Sequence, residues 1–475
     1  MYRTKIKELI QCKLGVYRKY IVFVLLLLSS QLCSCQNRNS PNLSEQRLIE
    51  LMNDSTIFPR LELRNPDDEI PAGVRYSEIR AIDPSAPPAI IDIVGNLNNK
   101  KTFKLSDIAS SVRYVILQQP PHTKNYVILG FTSDDEHIFI STIHGLFCYS
   151  AEGHYLYTLK HQREYTGTQG GIKQFIPNSG HGNIDLFDGK LVHRTIGNEN
   201  QISIFDVNEL DAQMRFNNQP FEVRTTDAIP KYQIPFGRFS GGGNRLFMDD
   251  HSFLHDQNGS FTSFSINGDT ICKFNDYIPR IFVSPATYIG FSSNIYRING
   301  QVTLVRGNND TVFRITPPNR ITPAFIMNWG AYKPDFNNRT TEGSLHFRDW
   351  IETPLFIFIR YIEGRDTPAH GEQRSAKDHW AIYDKTAKTL THHITSVKPI
   401  ITGNVLMIPP LIENDIHPVG MPFWPHGINH RDEMFMIFSK DQIEYYITTG
   451  NYQNDKLQDI YNNMPDDSFC IMIVK

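Results

Sequence analysis

Short apolar runs separated by turn residues dominate this chain from residue 88 onward. Segment 146–159 (LFCYSAEGHYLYTL) reads as strand, tight turn at Glu152-Gly153, strand. Segments 202–216 (ISIFDVNELDAQMRF), 261–274 (FTSFSINGDTICKF) and 380–394 (WAIYDKTAKTLTHHI) have the same shape. Segment 312–326 (VFRITPPNRITPAFI) is a looser copy with a Pro-rich turn. The five begin at 146, 202, 261, 312 and 380, at intervals of 56, 59, 51 and 68 residues. A hairpin unit recurring at such intervals predicts propeller blades, somewhat longer than the roughly 40–50 residues of familiar blade types.

Further apolar runs supply the inner strands. Residues 127–131 with 137–141 precede the first hairpin, and 183–186 with 190–193 the second. Residues 245–248 precede the third, and 355–362 (LFIFIRYI) the fifth. Sharing residues 111–475 among six units gives about 61 each, with the sixth expected from 404–408, 433–438 and 468–475. Strand 88–94 (PAIIDIV) is expected to pair with one of these and close the ring, removing exposed sheet edges. The predicted fold class is all-β, a six-bladed β-propeller over residues 88–475 with no long amphipathic helix.

The first 87 residues read differently. An apolar run at 21–28, too short to span a bilayer comfortably, follows a basic stretch containing Arg3, Lys5, Lys7, Lys13, Arg18 and Lys19. Leu32 and Ser34 stand three and one positions before Cys35, the pattern of a lipoprotein signal peptide cleaved at Cys35. Cys33 fits less well, because bulky Leu32 would directly precede the cleavage point. Residues 1–34 are thus expected to be removed and Cys35 lipidated. Residues 35–87 form a mostly irregular tether, of which 36–60 would span roughly 25–30 Å as a flexible coil. Gln36, in place of Asp, favours the outer membrane. The next acidic residue is Glu45, so no acidic cluster directs the protein to the cell surface, and a periplasm-facing position is preferred.

Composition narrows the partners. Residues 1–34 carry six Lys/Arg and one Glu of the 47 basic and 50 acidic residues, which leaves 41 basic and 49 acidic after cleavage. A net charge near −8 with no basic stripe argues against nucleic acid. Of the cysteines remaining besides Cys35, namely Cys148, Cys272 and Cys470, each lies in an apolar strand-like run and reads as core filling. Their spacing selects no disulfide pair and no zinc set.

Four segments resemble a known family, the six-bladed β-propeller lipoproteins of unknown function from the envelope of diderm bacteria. Residues 104–117 (KLSDIASSVRYVIL) are similar to the family's opening turn and apolar strand. Residues 309–330 resemble its Asp-Thr hairpin followed by a Pro-Ala-aromatic strand, and 351–360 its Glu-Thr-Pro aromatic strand. The loop 415–428 resembles its late Asp-x-x-x-Gly-x-Pro-Phe-Trp-Pro loop, here Asp415, Gly420, Pro422, Phe423, Trp424 and Pro425. Residues 165–175 (YTGTQGGIKQF) keep the glycines of a family loop but lack its Pro-Gly-Glu core. The resemblance implies a fold and an envelope location, but no activity.

Motifs for chemistry are sparse. His417, His426 and His430 fall close together, but Pro418, Pro422 and Pro425 exclude the helix that would align two imidazoles on a metal. Gly241-Gly242-Gly243 precedes a strand-like run and not the helix a phosphate loop requires. No nucleophile elbow, sialidase box or cofactor fingerprint appears, so no catalytic residue, metal or cofactor is assigned. What remains is an aromatic and basic set: Arg163, Tyr165, Arg238, Trp329, Arg348, Trp350, Trp424 and His426. Loops 162–171, 236–243, 329–332, 347–350 and 420–426 carry it, and at least three are expected on one face around the channel mouth. Arginines there would select an anionic ligand, and indoles would stack on sugars. The competing role is packing, with the tryptophans wedged between blades and the arginines paired to neighbouring carboxylates. The expected function is a non-catalytic envelope scaffold that binds a glycan, peptide or envelope protein. The alternative is a glycan-cleaving or lyase-type propeller enzyme.

Overall fold

The computed structural model describes residues 88–475 except 122–127, 143–144, 161–183, 195–200, 216–221, 225–231, 236–243, 249–250, 256–260, 266–269, 275–292, 307–310, 317–319, 333–344, 364–376, 396–410, 417–419 and 449–454. All of these belong to the compact unit Leu63–Lys475; the unit Met1–Glu62 lies outside the described residues, as does Cys35.

Among the described residues the strands form six sheets. In chain order, the first contains Ile128–Ser133, His137–Thr142, Gly145–Ser150 and Tyr155–Lys160. The second contains Ile184–Phe187, Lys190–Arg194, Gln201–Asp206 and Tyr232–Pro235. The third runs from Asn244–Met248 through His251–His255 and Phe261–Ser265 to Thr270–Phe274. The fourth consists of Ser293–Ile298, Gln301–Arg306, Thr311–Thr316 and Arg320–Asn328. The fifth holds Leu345–Glu352, Phe356–Glu363, Lys377–Asp384 and Thr389–His393. The sixth joins Gly427–Ile428, Met434–Ser439 and Phe469–Val474 to Val112–Ile116 from the other end of the chain. First strands of successive sheets lie side by side: Ile128–Ser133 against Ile184–Phe187, that strand against Asn244–Met248, and Asn244–Met248 against Ser293–Ile298. Leu345–Glu352 likewise lies against Gly427–Ile428. This is a β-propeller arrangement.

Strands such as Gly145–Ser150, Met434–Ser439 and Phe469–Val474 are mostly apolar because both of their faces are buried. In Met434–Ser439, Met434, Met436 and Phe438 pack toward the fifth sheet, and Phe435 and Ile437 toward the first. Phe469–Val474 divides the same way, Cys470, Met472 and Val474 against Phe469, Ile471 and Ile473. Successive side chains on a strand alternate faces, so a two-sided burial erases the polar half of the alternation. Each such side chain contributes about 1.5–3 kcal/mol when fully buried.

Two sequence expectations need correction. Segment 202–216 is not a hairpin: after Gln201–Asp206 the chain turns directly into helix α1, Val207–Arg215. Asp206 starts it by accepting the backbone N–H groups of Asn208 and Glu209 at 3.1 and 3.3 Å, a side-chain cap that stops the strand. Strand Ala89–Asp92 does not close the ring but runs parallel to Arg320–Asn328 on the outside of the fourth sheet. Lys100–Lys101 does the same for the fifth sheet, and Val112–Ile116 then pairs antiparallel with Phe469–Val474. The N-terminal segment therefore covers three outer edges in succession and closes the ring at its last step. Closure is reinforced where the backbone N–H groups of Ser110 and Ser111 donate to the Lys475 carbonyl at 2.6 and 3.1 Å. Two more helices, α2 (Lys440–Thr448) and α3 (Asp455–Asn463), connect the last two strands and bury Ile443, Tyr446, Leu457 and Ile460 against the sixth sheet.

Candidate functional site at the channel mouth

The first strands of the first, second, fourth, fifth and sixth sheets converge on a central channel, and the turns that follow four of them open at one mouth. There lies a cavity of about 520 Å³. Its wall includes Asp134, Asp188, Gly189, Asn299, Gly300, Asn429, His430 and Asp432 from the turns, and Asp185, Tyr296, Arg297, Trp350 and Glu352 from the strands.

Two of the turns have the same construction. Phe187 pairs with Lys190 around Asp188-Gly189, and Ile298 with Gln301 around Asn299-Gly300. All four turn residues have positive φ, 45° and 65° in one turn, 48° and 69° in the other. Two-residue hairpins that match the right-handed strand twist demand this, and Asp-Gly and Asn-Gly are the dipeptides that supply it. A purely local requirement thus sets polar side chains at the mouth. Asp432, also at positive φ (58°), adds a third from the sixth sheet.

Below the turns the wall is a saturated polar network. The Glu352 carboxylate is fully buried at the boundary of the fourth and fifth sheets. Arg314 donates to it through Nη2 and Nη1 at 2.6 and 2.9 Å, Lys385 Nζ at 2.9 Å and the Tyr296 hydroxyl at 2.7 Å. Trp350 Nε1 in turn donates to the Tyr296 oxygen at 2.6 Å. Burial alone would raise the pKa of Glu352, but the bonds and charges of Arg314 and Lys385 hold it below the usual carboxylate range. Burial pushes the Tyr296 hydroxyl well above its ordinary value, so it stays protonated.

Long contacts brace the channel. Arg297, on the fourth sheet, donates to Asp185 of the second sheet and to the Leu186 carbonyl at 2.7 Å. Its guanidinium lies 5.6 Å from the centre of the Phe187 ring. The Asn299 backbone N–H donates to Asp432, and burial with the nearby Glu352 charge nevertheless raises the Asp432 carboxyl above its ordinary pKa. Asp135 of the first sheet accepts from His430 Nε2 at 2.9 Å and from Arg431 of the sixth. His137, on the second strand of the first sheet, is buried between Asp134 and Asp211, with Nδ1 3.1 Å and Nε2 2.8 Å from their oxygens.

The described members of the aromatic and basic set anticipated from sequence are dispersed. Trp350 lines the cavity, its indole N–H already committed to Tyr296. Trp329 follows the last strand of the fourth sheet and Trp424 precedes the first strand of the sixth, so both lie toward the end opposite the cavity. Trp329 packs edge-on against Tyr361 at 5.6 Å, and Trp424 against Trp380 and Phe358 at 5.0 and 5.4 Å. All three are buried and act as packing anchors between sheets. Residues 347–350 are not a loop but part of strand Leu345–Glu352, with half-buried Arg348 at a bulge between Phe347 and Asp349. His426 is half-buried, accepts the Ile437 N–H at 3.2 Å, and is driven by desolvation to a pKa of about 3, while His430 faces the mouth. Arg163, Tyr165, Arg238, His417 and the glycines 241–243 lie outside the described residues. Cys148 and Cys470 are buried free thiols.

Sequence reasoning missed Asp188, Asn299, Asp432 and the Glu352 network. The first two were signalled by their Asp-Gly and Asn-Gly turns. The network carried no local signal, because its members come from residues 296, 314, 350, 352 and 385.

No curated protein matches this chain. Among solved structures it is similar to a protein from Bacteroides fragilis NCTC 9343 described as exported, with 13% identity, TM-score 0.52, and coverage of 82% of this chain and 99% of that one. A member of the DUF4221 family from Bacteroides vulgatus ATCC 8482 aligns over 78% of this chain and 97% of its own, at 8% identity and TM-score 0.38. Virginiamycin B lyase from Staphylococcus aureus aligns over 77% and 99%, at 11% identity and TM-score 0.33. At such identities the first of these speaks to the fold alone. The model of the Domain of unknown function (DUF4933) matches residues 71–449, and the chain belongs to that family.

Proposed function

We propose that this protein is a non-catalytic, lipid-anchored envelope scaffold that holds a small polar ligand at the channel mouth. In this reading each of the six sheets among the described residues serves as one blade of a six-bladed propeller. The observation that carries the reading is the saturated floor beneath an open cavity. Glu352, Tyr296, Trp350, Arg297 and Asp134 all spend their donors or acceptors on one another or on neighbouring groups. A general acid or base needs a proton it can exchange with substrate, and these groups are committed to holding the wall. A rigid wall beneath polar turn residues is instead the preorganised form of a binding site, and about 520 Å³ falls within the usual size of small-ligand pockets. These features favour binding over the glycan-cleaving or lyase alternative.

The anchor in this reading is the lipid on Cys35, with the propeller on the periplasmic side of the outer membrane and a glycan, peptide or envelope protein as partner. Calorimetric screening of the purified chain against glycan and peptide panels tests the binding half. Binding that is lost on Asp188→Asn with Asn299→Ala supports it, whereas turnover of any panel member by the wild-type chain refutes it. Cys35→Ser tests the anchor: release into the soluble fraction is expected, and unchanged membrane association refutes it.

A further inference from the structure

We propose that residues 96–103, where the N-terminal segment crosses the outer edge of the fifth sheet, form a clasp that uncharged His392 and His393 hold shut and that mild acid releases. The segment makes three successive attachments of unequal length. Ala89–Asp92 pairs over four residues with the fourth sheet, and Val112–Ile116 over five with the sixth. Between them the strand on the fifth sheet has two residues, Lys100 opposite His392 and Lys101 opposite His393. His392 donates its backbone N–H to the Asn99 carbonyl at 2.8 Å, and Ile394 donates to the Lys101 carbonyl at 3.0 Å. The Asn99 carboxamide adds bonds to the Leu390 carbonyl at 2.7 Å and the Thr391 hydroxyl at 3.2 Å. So short a ladder opens at less cost than the two that flank it, and the segment stays tied at both ends.

The two histidines are neighbours on one strand and face opposite ways, so each meets the segment on its own side. His393 accepts the Phe103 N–H through Nδ1 at 3.3 Å, and its Nε2 lies 3.3 Å from the Leu411 carbonyl, so Nε2 carries the single proton. A second proton, on Nδ1, would point at the Phe103 N–H and break that bond. The His393 ring stacks on Trp424 with 6.2 Å between centres. The cations of this side, Lys101 over the Phe103 ring and Arg360 over the Trp380 ring, are paired with Asp107 and Asp378. On the other side His392 is buried and bonded through Nε2 to the Tyr361 hydroxyl. His379 stands 6.3 Å from it between ring centres and stacks on Tyr361. Glu363 is engaged by His379 at 2.9 Å and by Lys377 at 3.9 Å. Burial, with His379 and the Lys100 charge, outweighs the nearby backbone of Asn96 and Asn99 and holds His392 below its ordinary pKa. Burial lowers His379 as well, with Lys377 and Lys100 acting against Glu363.

Release opens both imidazoles to water, where each protonates near its ordinary value of about 6.5. An imidazole that takes its proton only in the open form favours opening by about tenfold at pH 5.5, and two do so by up to about a hundredfold. The clasp is therefore shut above about pH 6.5 and loosens as pH falls below it. Once open, it leaves the outer edge of Thr389–His393 unpaired.

Hydrogen exchange on the purified full chain in detergent, resolved to single amides and corrected for intrinsic rates at pH 7.5 and pH 5.5, tests this. Protection of the Phe103, His392 and Ile394 amides is expected to fall by about tenfold or more between the two. Ile93, which donates to the Asn328 carbonyl, and the amides of 470–474 on the closing ladder are expected to keep theirs. The double variant His392→Gln, His393→Gln retains polar side chains that do not titrate and should show equal protection at both pH values. If that variant does not fold, His392→Gln alone replaces it, with a fall smaller than that of wild type by about threefold or more. Three results overturn the proposal: unchanged protection in wild type, a loss shared by Ile93 and 470–474, or a fall undiminished in the variant.

Discussion

Arg314 and Glu352 meet across the boundary between two adjacent sheets, the guanidinium Nη2 2.6 Å from one carboxylate oxygen and Nη1 2.9 Å from the other. Their strands are joined by no hydrogen-bonded ladder, so this two-pronged contact and the apolar cluster around Trp350 are what register one sheet against the next. Lys385 and Tyr296 complete the coordination of the same carboxylate.

Arg314→Leu is expected to destabilise the protein by about 3 kcal/mol, the lower end of the range for breaking a buried pair, because Lys385 stays bound to Glu352. Urea unfolding followed by circular dichroism checks it, and a loss within experimental scatter of zero would mean the pair is ornamental. The network also carries a pH dependence. Glu352 is held below the usual carboxylate range in the folded state, so its stabilisation is complete above the unfolded value near 4.3. That contribution fades as pH falls through the lower native value.

His137 behaves with the opposite sign. Burial pushes its imidazole toward the neutral form, but the bonds to Asp134 and Asp211 overrule it and bring the pKa up to about 9. Tyr157 fixes the far side of Asp211 by donating to it at 3.0 Å, tying the first sheet to helix α1. A folded pKa above the unfolded value near 6.5 means the stabilisation is fully present below pH 6.5 and lost as pH rises through 9. His137→Gln should therefore lower the melting temperature at pH 6, by on the order of 2–3 kcal/mol in stability, and the gap to wild type should shrink by pH 9.5. A gap that stays constant across that range would show that packing, and not the charge, is what His137 contributes.

The sequence made the propeller readable and the cavity largely unreadable, for a physical reason. Hairpins such as 261–274 and 380–394 are local: strand propensity and a turn dipeptide within fifteen residues determine them, and both are found where expected. Segment 202–216 failed because Asp206 caps a helix, a competing local signal hidden in an apolar context. Trp329 and Trp424 were equally ambiguous, since an indole beside Gly or Pro is as consistent with a sheet-to-sheet anchor as with a binding platform. Glu352 lay beyond reach altogether, because its partners are distant in sequence and nothing near it predicts an arginine at 314. Ring closure by 112–116 and not by 88–94 is of the same kind. Both segments are apolar and extended, and only the order in which the chain passes the fourth, fifth and sixth sheets selects between them.

That closing strand makes a further prediction possible, from two glycines that share a positive φ but differ in surroundings. Gly300 has φ 69° and open space where a Cβ would stand, so Gly300→Ala should cost only the left-handed strain, about 1 kcal/mol. Gly153, in the hairpin turn of the first sheet, has φ 92°, and a Cβ there would lie 2.2 Å from the Ile116 carbonyl oxygen on the closing strand. Its own carbonyl accepts the Gln118 N–H at 2.9 Å, so turn and strand cannot separate without losing that bond. Gly153→Ala combines the same strain with about 1–3 kcal/mol of overpacking, for a total of about 2–4 kcal/mol. Displacing Val112–Ile116 would also uncover the edge of Phe469–Val474, a run of six buried side chains. Gly153→Ala should accordingly show higher-order species on size-exclusion chromatography at temperatures where Gly300→Ala remains as wild type. Equal unfolding midpoints and equal elution for the two variants would mean that the closing strand yields without cost, and that ring closure does not limit stability here.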